Sequence, residues 1–420
     1  MIRHFTCKNF RNINCEDLKF EKINILIGPN NAGKTNFIRA LSFAANMVNN
    51  QVKTEATGFL TEVKRNGWNA IADRSGLLGG ETRFKWDFEL KANRLVSYAL
   101  NMCTGKRRDN NYISYESLDN LWTRHGAIRP YNYFCCHEPA LGVGTFSTAG
   151  MTTARNQRIK ANVDTSESVL LQMDTLFFSN KQMFSETFVR EDIRAVLSAM
   201  REYFEGFYSY SCAAFNITEI RELQDELNDG HILRKDGANF ANVFAAAMQE
   251  DENFLDRYHR LLHRIVPNCN DIQLKSAGGK VWVELDINGM YFPLSEVSDG
   301  TVHLLLLLLM LSLPAQRGLS MLAVDEPEMN LHPAWQKLLA HEFLNSKSFK
   351  QCFISTHSSD LLDEFTEGFL SGEVGVFTFD PTSRTPIRKL QSDALREDLQ
   401  EWTLGDLYRI GDPLIGGWPQ

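Results

Sequence analysis

The pattern of apolar and polar residues predicts strands near both ends of the chain and helices in its middle. Near the N-terminus, the apolar run Ile23–Ile27 leads into a glycine-containing loop. Apolar residues then recur at helical spacing at Phe37, Ile38, Leu41 and Ala44. These segments predict a buried strand, a loop and a helix in succession.

A second strand-rich region follows this helix. Between residues 84 and 90, apolar side chains alternate with charged ones, which is the period-two pattern of a half-buried strand. Further strands are predicted at residues 95–102 and 112–115. Together they predict an antiparallel sheet attached to the strand at Ile23–Ile27.

The middle of the chain is predicted to be helical. Apolar residues recur at helical spacing in residues 193–204 and 254–265, and no heptad pattern persists long enough for a coiled coil. Strand alternation returns at residues 281–288. The expected organisation is therefore a compact helical insert at 166–268 between the segments 1–165 and 269–420.

The loop after the first buried strand, GPNNAGKT at residues 28–35, fits the pattern G-x-x-x-x-G-K-[ST] between a strand and a helix. Such a loop curls around phosphate oxygens with its backbone N–H groups, and glycines at both ends permit the tight curl. The lysine then meets the β and γ phosphates, and the threonine hydroxyl binds Mg²⁺. The predicted ATP-binding residues here are Gly28, Asn30, Asn31, Gly33, Lys34, Thr35 and Asn36.

Two acidic residues follow a second buried strand. The apolar residues 321–324 precede Asp325 and Glu326, so both carboxylates are expected at the carboxyl end of a parallel strand, where open α/β sheets place ligands. Asp325 is the predicted Mg²⁺ ligand. Glu326 is the predicted catalytic base, because hydrolysis needs a group that orients and deprotonates the attacking water.

Two further motifs complete the predicted site. His357 lies just past a short apolar strand, where its imidazole would hydrogen-bond the γ phosphate. Ser298 and Gly300 precede the apolar run 304–313, and a helix N-terminus with small residues is suited to bind an anion. That run is about half the length needed to span a bilayer, so it predicts a buried helix rather than a membrane segment.

Composition and charge limit the class of protein. The chain is 43% hydrophobic and 23% charged, which is typical of a globular protein. Its net charge of −8 disfavours a general nucleic-acid-coating polycation. Basic residues cluster only at 106–108 and 155–160.

The cysteines form no C-x-x-C pair, so neither a zinc site nor a disulfide framework is predicted. Cys135, Cys136 and His137 are adjacent, and adjacent side chains diverge in a regular element, so they are not predicted to bind a metal together. Reduced thiols and a cytoplasmic location are therefore expected.

The motifs GPNNAGKT, VSDGT, LAVDEPEMNLHP and ISTHS, in this order, resemble the ATPase heads of the SMC, RecF and OLD-like branch of ABC-type ATPases. The opening phrase CKNFRNI and the later phrases DGANFANVF and LGDLYRIGDPLIGGWP also resemble this branch. The resemblance implies an α/β ABC-type head with a mixed or parallel sheet, an antiparallel β subdomain and an inserted helical domain. Residues 1–165 and 269–420 would be the two parts of that head.

In that branch, two heads enclose two ATP molecules. The resemblance therefore implies that Ser298 and Gly300 act on the nucleotide of the partner copy, whereas Lys34, Thr35, Asp325, Glu326 and His357 act within their own copy. The glutamine that usually couples Mg²⁺ to the helical arm stays unassigned among Gln157, Gln172 and Gln182. After His357, residues 358–420 show no carboxylate pattern of a TOPRIM nuclease, although Asp393, Glu397 and Asp398 lie there.

Two functions are consistent with these motifs. The first is an ATPase that dimerises on ATP with Mg²⁺ and switches a separate effector, such as a nuclease in anti-phage defence. The second is a DNA-binding repair or maintenance clamp whose basic segments contact DNA. ATP-dependent recruitment of a protein would favour the first, and ATP-strengthened, salt-sensitive DNA binding would favour the second.

Overall fold

The structure is a computed structural model. It contains two compact units, and each unit is formed by several segments of the chain. The first unit comprises Met1–Phe20, Asn31–Phe207 and Asp380–Lys389, and the second comprises Glu21–Asn30, Tyr208–Phe379 and Leu390–Gln420. The structure describes residues 1–48, 58–67, 71, 81–90, 94–104, 111–122, 130–140, 143–149, 158–172, 191–226, 230, 232–266, 268–313, 319–380 and 386–416.

The first unit contains an eight-stranded antiparallel sheet with strand order β2-β1-β4-β5-β6-β7-β8-β9. The strands are β1 (Ile2–Phe10), β2 (Ile13–Lys19), β4 (Glu81–Leu90), β5 (Arg94–Cys103), β6 (Tyr112–Asn120), β7 (Asn132–Ala140), β8 (Val143–Ala149) and β9 (Arg158–Asp164). The strands predicted at 84–90, 95–102 and 112–115 correspond to β4, β5 and β6. Alternating burial along β4 places its aromatic residues on the inner face.

Helices complete the first unit. They are α1 (Lys34–Val48), α2 (Phe59–Asn66) and α3 (Glu191–Glu205), and the short strand β18 (Ile387–Lys389) also belongs to this unit. The core is aromatic: Phe5 of β1 packs edge-on against Phe37 of α1, with ring centroids 5.8 Å apart, and Phe43 stacks on Phe84 at 5.2 Å. These contacts hold α1 against the sheet.

The second unit is built around parallel strands. Its strands β10 (Phe207–Ser211), β15 (Met321–Asp325), β16 (Gln351–Ser355), β3 (Ile23–Ile27) and β17 (Val374–Phe379) neighbour one another in that order. The pairs β15–β16, β16–β3 and β3–β17 are parallel. Every residue of β3, β15 and β16 is buried, as expected for parallel strands covered on both faces.

Among the described residues, the second unit also contains a smaller antiparallel sheet and nine α-helices. The small sheet contains β11 (Gln224–Asp225), β12 (Cys269–Ala277), β13 (Lys280–Ile287) and β14 (Met290–Pro293). The helices are α4 (Ile217–Arg221), α5 (Phe240–Glu250), α6 (Phe254–Ile265), α7 (Asp299–Ser312), α8 (Pro333–Asn345), α9 (Ser359–Asp363), α10 (Thr366–Ser371), α11 (Ser392–Leu395) and α12 (Leu404–Arg409).

The apolar run at 304–313 forms most of α7, and residues 302–312 of that helix are all buried, so the predicted buried helix is confirmed. Among the described residues, no helix is both long and apolar enough to cross a membrane. The helical insert expected at 166–268 contains α3 to α6, but also the strands β10 and β11. The boundary between the two units at Phe207 and Tyr208 falls inside this segment. The predicted segment boundaries at 165 and 268 do not coincide with the divisions between the two units.

Candidate functional site

The carboxyl ends of three neighbouring parallel strands of the second unit lie side by side. In the strand register, Asp325 of β15 is opposite Ser355 of β16, and Ser355 is opposite Leu26 of β3. The chain leaves these strands at Glu326, Thr356 and Gly28, respectively. We call this part of the sheet the carboxyl edge. Parallel strands present their carboxyl ends on one side, so the edge collects three of the predicted motifs.

Asp325 and Glu326 are held in place by the adjacent strand. Asp325 is 7% exposed, and its carboxylate accepts a hydrogen bond from the Ser355 hydroxyl. The Glu326 backbone N–H donates to the Ser355 carbonyl oxygen at 3.0 Å, which directs the chain out of the sheet. Glu326 also has a positive φ of 55°, a conformation that non-glycine residues seldom adopt and that clusters at functional sites.

His357 lies on the same edge as Glu326. Its Nε2 atom is 3.7 Å from Oε1 of Glu326, and its side chain is 20% exposed against 38% for Glu326. Both side chains therefore reach the surface of the edge. The Thr356 backbone N–H donates to the Leu26 carbonyl oxygen at 3.0 Å, so the β16–β3 pairing continues to the residue before the histidine.

Glu328 supports His357, and the sequence interpretation did not include it. Its Oε1 atom accepts the His357 backbone N–H at 2.7 Å, while its buried Oε2 atom makes no hydrogen bond within the described parts of the chain. Burial raises the pKa of Glu328, the His357 N–H opposes this shift, and the nearby Glu326 charge adds to it. The phrase DEPE, in which a further glutamate lies two residues after Glu326, could have indicated Glu328 from the sequence.

The first part of the phosphate-binding loop belongs to the carboxyl edge. Gly28 follows β3 with φ of 143°, and a Cβ atom placed there would lie 2.5 Å from the Phe379 carbonyl oxygen at the end of β17. Only glycine fits this close approach and this backbone conformation. Asn30 is exposed and is the last loop residue in the second unit.

The second part of the loop belongs to the first unit. Gly33 has φ of 110°, and a Cβ atom there would lie 2.7 Å from Nδ2 of Asn12, which donates to the Ala32 carbonyl oxygen at 3.3 Å. Asn31 is exposed and has φ of 63°. The turn between β1 and β2 therefore supports the loop. The loop motif itself did not indicate this support, because the turn precedes the motif by about 20 residues.

The next three predicted residues begin helix α1. Lys34 is 6% exposed, whereas Thr35 is exposed. The Asn36 amide donates to Oδ1 of Asn12 at 2.8 Å and accepts from Arg11 at 3.2 Å. Asn36 is thus tied to the β1–β2 turn, and its predicted part in ATP binding stays a prediction.

Ser298 caps the N-terminus of α7. Its hydroxyl accepts the Thr301 backbone N–H at 3.2 Å, and Ser298 itself is exposed. A Cβ atom at Gly300 would lie 2.4 Å from the Asn330 carbonyl oxygen. The first turn of α7 therefore touches the loop that follows Glu326, and this contact requires a glycine.

Arg221 of α4 braces the loop before α7. Its guanidinium donates to the carbonyl oxygens of Leu294 at 3.1 Å and Val297 at 2.6 Å, and it pairs with Asp299 at 2.8 Å. These contacts join α4 to Val297 and Asp299, the residues on either side of Ser298 in the VSDGT motif. Nothing in the sequence around Arg221 marked this link, because the two segments are more than 70 residues apart.

The remaining predicted features give no site among the described residues. Cys135 Sγ lies 3.1 Å from His137 Nε2, and the described residues contain no group of three or more His, Cys, Asp or Glu suited to a metal. Gln172 bonds the backbone of Asp164 and Glu167. Residues 106–108, 155, 157 and 182 lie outside the described residues, as do the side chains of Arg158 and Lys160.

The chemistry of the carboxyl edge fits Mg²⁺ with a nucleotide. Mg²⁺ in proteins takes oxygen ligands and is usually held by one or two carboxylates together with substrate phosphates. Asp325 supplies such a carboxylate on the carboxyl edge, one strand away from the strand that leads into the phosphate-binding loop, and Ser355 orients it.

Two segments of the chain match models of known families. Residues 1–76 match a model described as "AAA ATPase domain". Residues 208–363 match a model described as "AAA domain, putative AbiEii toxin, Type IV TA system". The first segment contains the phosphate-binding loop, and the second contains the acidic pair and His357.

Three solved SMC heads are similar to this chain, and the first of them shares its fold. An Smc head bound to the C-winged helix domain of ScpA aligns with a TM-score of 0.51 and 11% identity over 94% of this chain and 99% of that one. An SMC head domain from Thermotoga maritima aligns at 0.41 and 11% over 92% and 97%. An Smc head with an extended coiled coil bound to the C-terminal domain of ScpA, from Pyrococcus furiosus, aligns at 0.47 and 10% over 95% and 98%.

The α/β fold class predicted from the sequence is confirmed by the arrangement of the sheets and by the similarity to the first of these heads. The two family matches support an ATPase of the AAA type.

Proposed function

We propose that the protein is a Mg²⁺-dependent ATPase of the OLD-like branch, whose two copies close head to head on ATP and whose closed form switches a separate effector. One observation carries this proposal: the strand register brings Gly28, the pair Asp325–Glu326 and His357 to one edge of a parallel sheet. A nucleotide site needs a phosphate loop, a metal ligand and a base within reach of one another.

Binding is assigned to the loop and the first acid. Backbone N–H groups between Gly28 and Thr35 surround the phosphates, and the Lys34 ammonium group neutralises the β and γ oxygens. Bound Mg²⁺ supplies further neutralisation of the phosphate charge, and Thr35 and Asp325 are the residues proposed to hold it.

Hydrolysis is assigned to Glu326 and His357. The Glu326 carboxylate orients a water molecule and accepts its proton as the water attacks the γ phosphate. The His357 imidazole, 3.7 Å from that carboxylate, hydrogen-bonds the γ phosphate oxygens. Glu328 keeps His357 in place through the backbone N–H of the histidine.

Closure is assigned to the loop before α7. Ser298 is exposed, and the helix N-terminus behind it favours an anion, so this loop is suited to meet the nucleotide of a second copy. A γ phosphate contacted by both copies stabilises only the closed dimer, and hydrolysis then shifts the population toward the open form. An effector that binds only one form, such as a nuclease in anti-phage defence, would be switched by this shift.

The substitution Glu326→Gln tests the proposal. It removes the base but keeps the shape, so ATP turnover should fall by about 10²-fold or more while ATP still binds. With ATP and Mg²⁺, the mass in solution should double from one chain to two. Glu367→Gln, an exposed glutamate on α10, is the matched control and should leave turnover and mass unchanged.

Normal turnover by Glu326→Gln would contradict the assignment of the base, and failure of the wild-type protein to bind ATP would refute the proposal as a whole. Lys34→Ala should abolish nucleotide binding and serves as the reference. A short DNA duplex that co-elutes only with the ATP-bound dimer would favour the repair or maintenance clamp, whereas recruitment of a protein without DNA would favour the effector switch.

A further inference from the structure

Helix α8 carries a buried glutamine, Gln336, whose side chain joins two segments of the proposed site. Gln336 is the fourth residue of α8 and is 8% exposed. Its Nε2 atom donates to the Leu331 carbonyl oxygen at 2.9 Å, and its Oε1 atom accepts from the Ser358 hydroxyl at 2.5 Å. A carbonyl oxygen can only accept, so both bonds form in one orientation of the amide. Gln336 is therefore a fixed bridge between these two segments.

One of the two segments is the loop that begins with the proposed base. Residues 326–331, which we call the acidic loop, contain two overlapping backbone turns. The Met329 N–H donates to the Glu326 carbonyl oxygen at 3.1 Å. The Leu331 N–H donates to the Glu328 carbonyl oxygen at 3.0 Å. The carbonyl group held by the glutamine amide is therefore connected to the base through these turns.

The other segment carries His357. Ser358 follows this histidine and caps α9, since its hydroxyl accepts the Leu361 backbone N–H at 3.1 Å. The Ser358 backbone N–H donates to the Thr356 hydroxyl at 2.9 Å, so the chain is also closed across His357. We call residues 356–358 the histidine segment. A bond that holds the Ser358 hydroxyl therefore restrains the backbone on both sides of the histidine.

The histidine segment is held at two consecutive residues. Glu328 of the acidic loop accepts the His357 backbone N–H at 2.7 Å, and Gln336 accepts the hydroxyl of the next residue. One hydrogen bond alone leaves a pivot about which the two segments turn, whereas a second bond beside it removes that freedom. The two bonds therefore restrain the distance between Nε2 of His357 and Oε1 of Glu326, which is 3.7 Å.

We propose that Gln336 is a positioning residue, which ties the acidic loop to the histidine segment so that Glu326 and His357 act on the same phosphate. The catalytic consequence rests on the proposed ATPase function, because hydrolysis needs the base and the histidine in one geometry. The structural half, the bridge between the two segments, does not depend on that function.

The substitution Gln336→Met tests the bridge. Methionine has nearly the length of glutamine and fills the same space, but it lacks the amide. Because the two segments are then free to shift relative to each other, kcat for ATP hydrolysis should fall roughly tenfold. KM for ATP should stay within about twofold, since Gln336 has no part in nucleotide binding. Steady-state kinetics measure this separation of kcat from KM.

A second readout needs no nucleotide. In the nucleotide-free protein, the peptides that cover the acidic loop and the histidine segment should exchange amide hydrogens for deuterium faster in Gln336→Met than in the wild type. Both peptides lose a side-chain anchor at once. Hydrogen exchange followed by mass spectrometry measures the effect.

The substitution Ser358→Ala identifies which bond matters. It removes the hydroxyl that Gln336 holds, and α9 also loses its cap. Loss of the cap should act equally in the wild type and in Gln336→Met, whereas the shared bond is present only in the wild type. Ser358→Ala should therefore lower kcat severalfold more in the wild type than in Gln336→Met.

Gln351→Met is the matched control. Gln351 is fully buried in the same unit, and its Nε2 atom donates to the Glu21 carbonyl oxygen at 2.9 Å. It begins β16, at the opposite end of that strand from Ser355. The control loses a buried amide bond of the same kind, so it should lower the thermal midpoint as Gln336→Met does. It should leave kcat and the exchange of both peptides unchanged.

Wild-type kcat together with wild-type exchange of both peptides in Gln336→Met would overturn the inference. Equal losses of kcat in the two glutamine variants would also overturn it, because general stability would then explain them. If the wild-type protein hydrolysed no ATP, the proposed function would fail. Exchange of the two peptides in Gln336→Met would then still decide whether Gln336 bridges the acidic loop and the histidine segment.

Discussion

Gly28 and Gly33, the two glycines of the phosphate-binding loop, are required for different reasons. At Gly28, a Cβ atom would meet the backbone carbonyl oxygen of Phe379 at 2.5 Å. At Gly33, it would meet the side-chain amide of Asn12 at 2.7 Å. A carbonyl oxygen in a sheet cannot move without breaking the strand, whereas a side chain can rotate. One motif therefore has a rigid neighbour at one end and an adjustable neighbour at the other.

The two ends of the phosphate-binding loop are positioned by different kinds of contact. The carboxyl edge is set by the strand register, which places backbone groups of Ser355 and Phe379 next to Glu326 and Gly28. The start of α1 is set by side chains of the β1–β2 turn, namely Arg11 and Asn12. Substitutions should therefore be more damaging at the edge than at the turn.

Gly28→Ala should have the largest effect of the three substitutions that test this comparison. The unfavourable φ and the backbone overlap act together, so the loss of stability should be about 3 kcal/mol or more, with loss of nucleotide binding. Gly372→Ala is the control, because Gly372 has φ of 82° with open space around it and isolates the cost of φ at about 1 kcal/mol. Equal shifts of the thermal midpoint in the two variants would contradict the rigid-neighbour account.

Gly33→Ala should have an intermediate effect that depends on Asn12. The φ of 110° costs about 1–3 kcal/mol, and the overlap with the Asn12 amide adds to it. In a double-mutant cycle with Asn12→Ala, the cost of Gly33→Ala should fall by about 1 kcal/mol, because the overlapping amide is removed. Strict additivity in denaturant unfolding would show that the overlap contributes nothing.

Glu328→Gln should have the smallest effect, because glutamine still accepts the rigid backbone N–H of His357. Burial raises the folded pKa of Glu328 above its ordinary value of 4.5. At pH values between the unfolded-state and folded-state pKa, Glu328 is largely protonated in the native state and largely ionised in the unfolded state. Its contribution to the free energy of unfolding therefore decreases as the pH rises through this range. Glu328→Gln should remove this decrease and slightly stabilise the protein at neutral pH.

Unfolding of the wild type and of Glu328→Gln at a series of pH values from 4 to 8 measures this effect, with the exposed Glu367→Gln as control. A steeper loss of stability with rising pH in Glu328→Gln than in the wild type would contradict the assigned direction. Turnover should stay near the wild-type value in Glu328→Gln and fall in Glu328→Ala, which has no acceptor for the His357 N–H.

Much of the fold was predictable, because burial follows simple periods in the sequence. The alternation in residues 84–90 and 281–288 identified β4 and β13, and the apolar runs before GPNNAGKT, DEPE and THS identified β3, β15 and β16. Boundaries between units were not predictable in this way. The chain passes between the units several times, and one phosphate-binding loop contributes residues to both.

The sequence by itself determined which residues carry the candidate chemistry, because the phosphate loop, the acidic pair and His357 each follow a recognisable buried strand. Only the tertiary structure decided what holds them. Asn12 and Glu328 lie within phrases that the sequence marked, whereas Arg221 lies in none, but the roles of all three residues arise from contacts across the chain. Local patterns report the burial of a residue, but a hydrogen bond between distant segments depends on strand order and register, which no local pattern encodes.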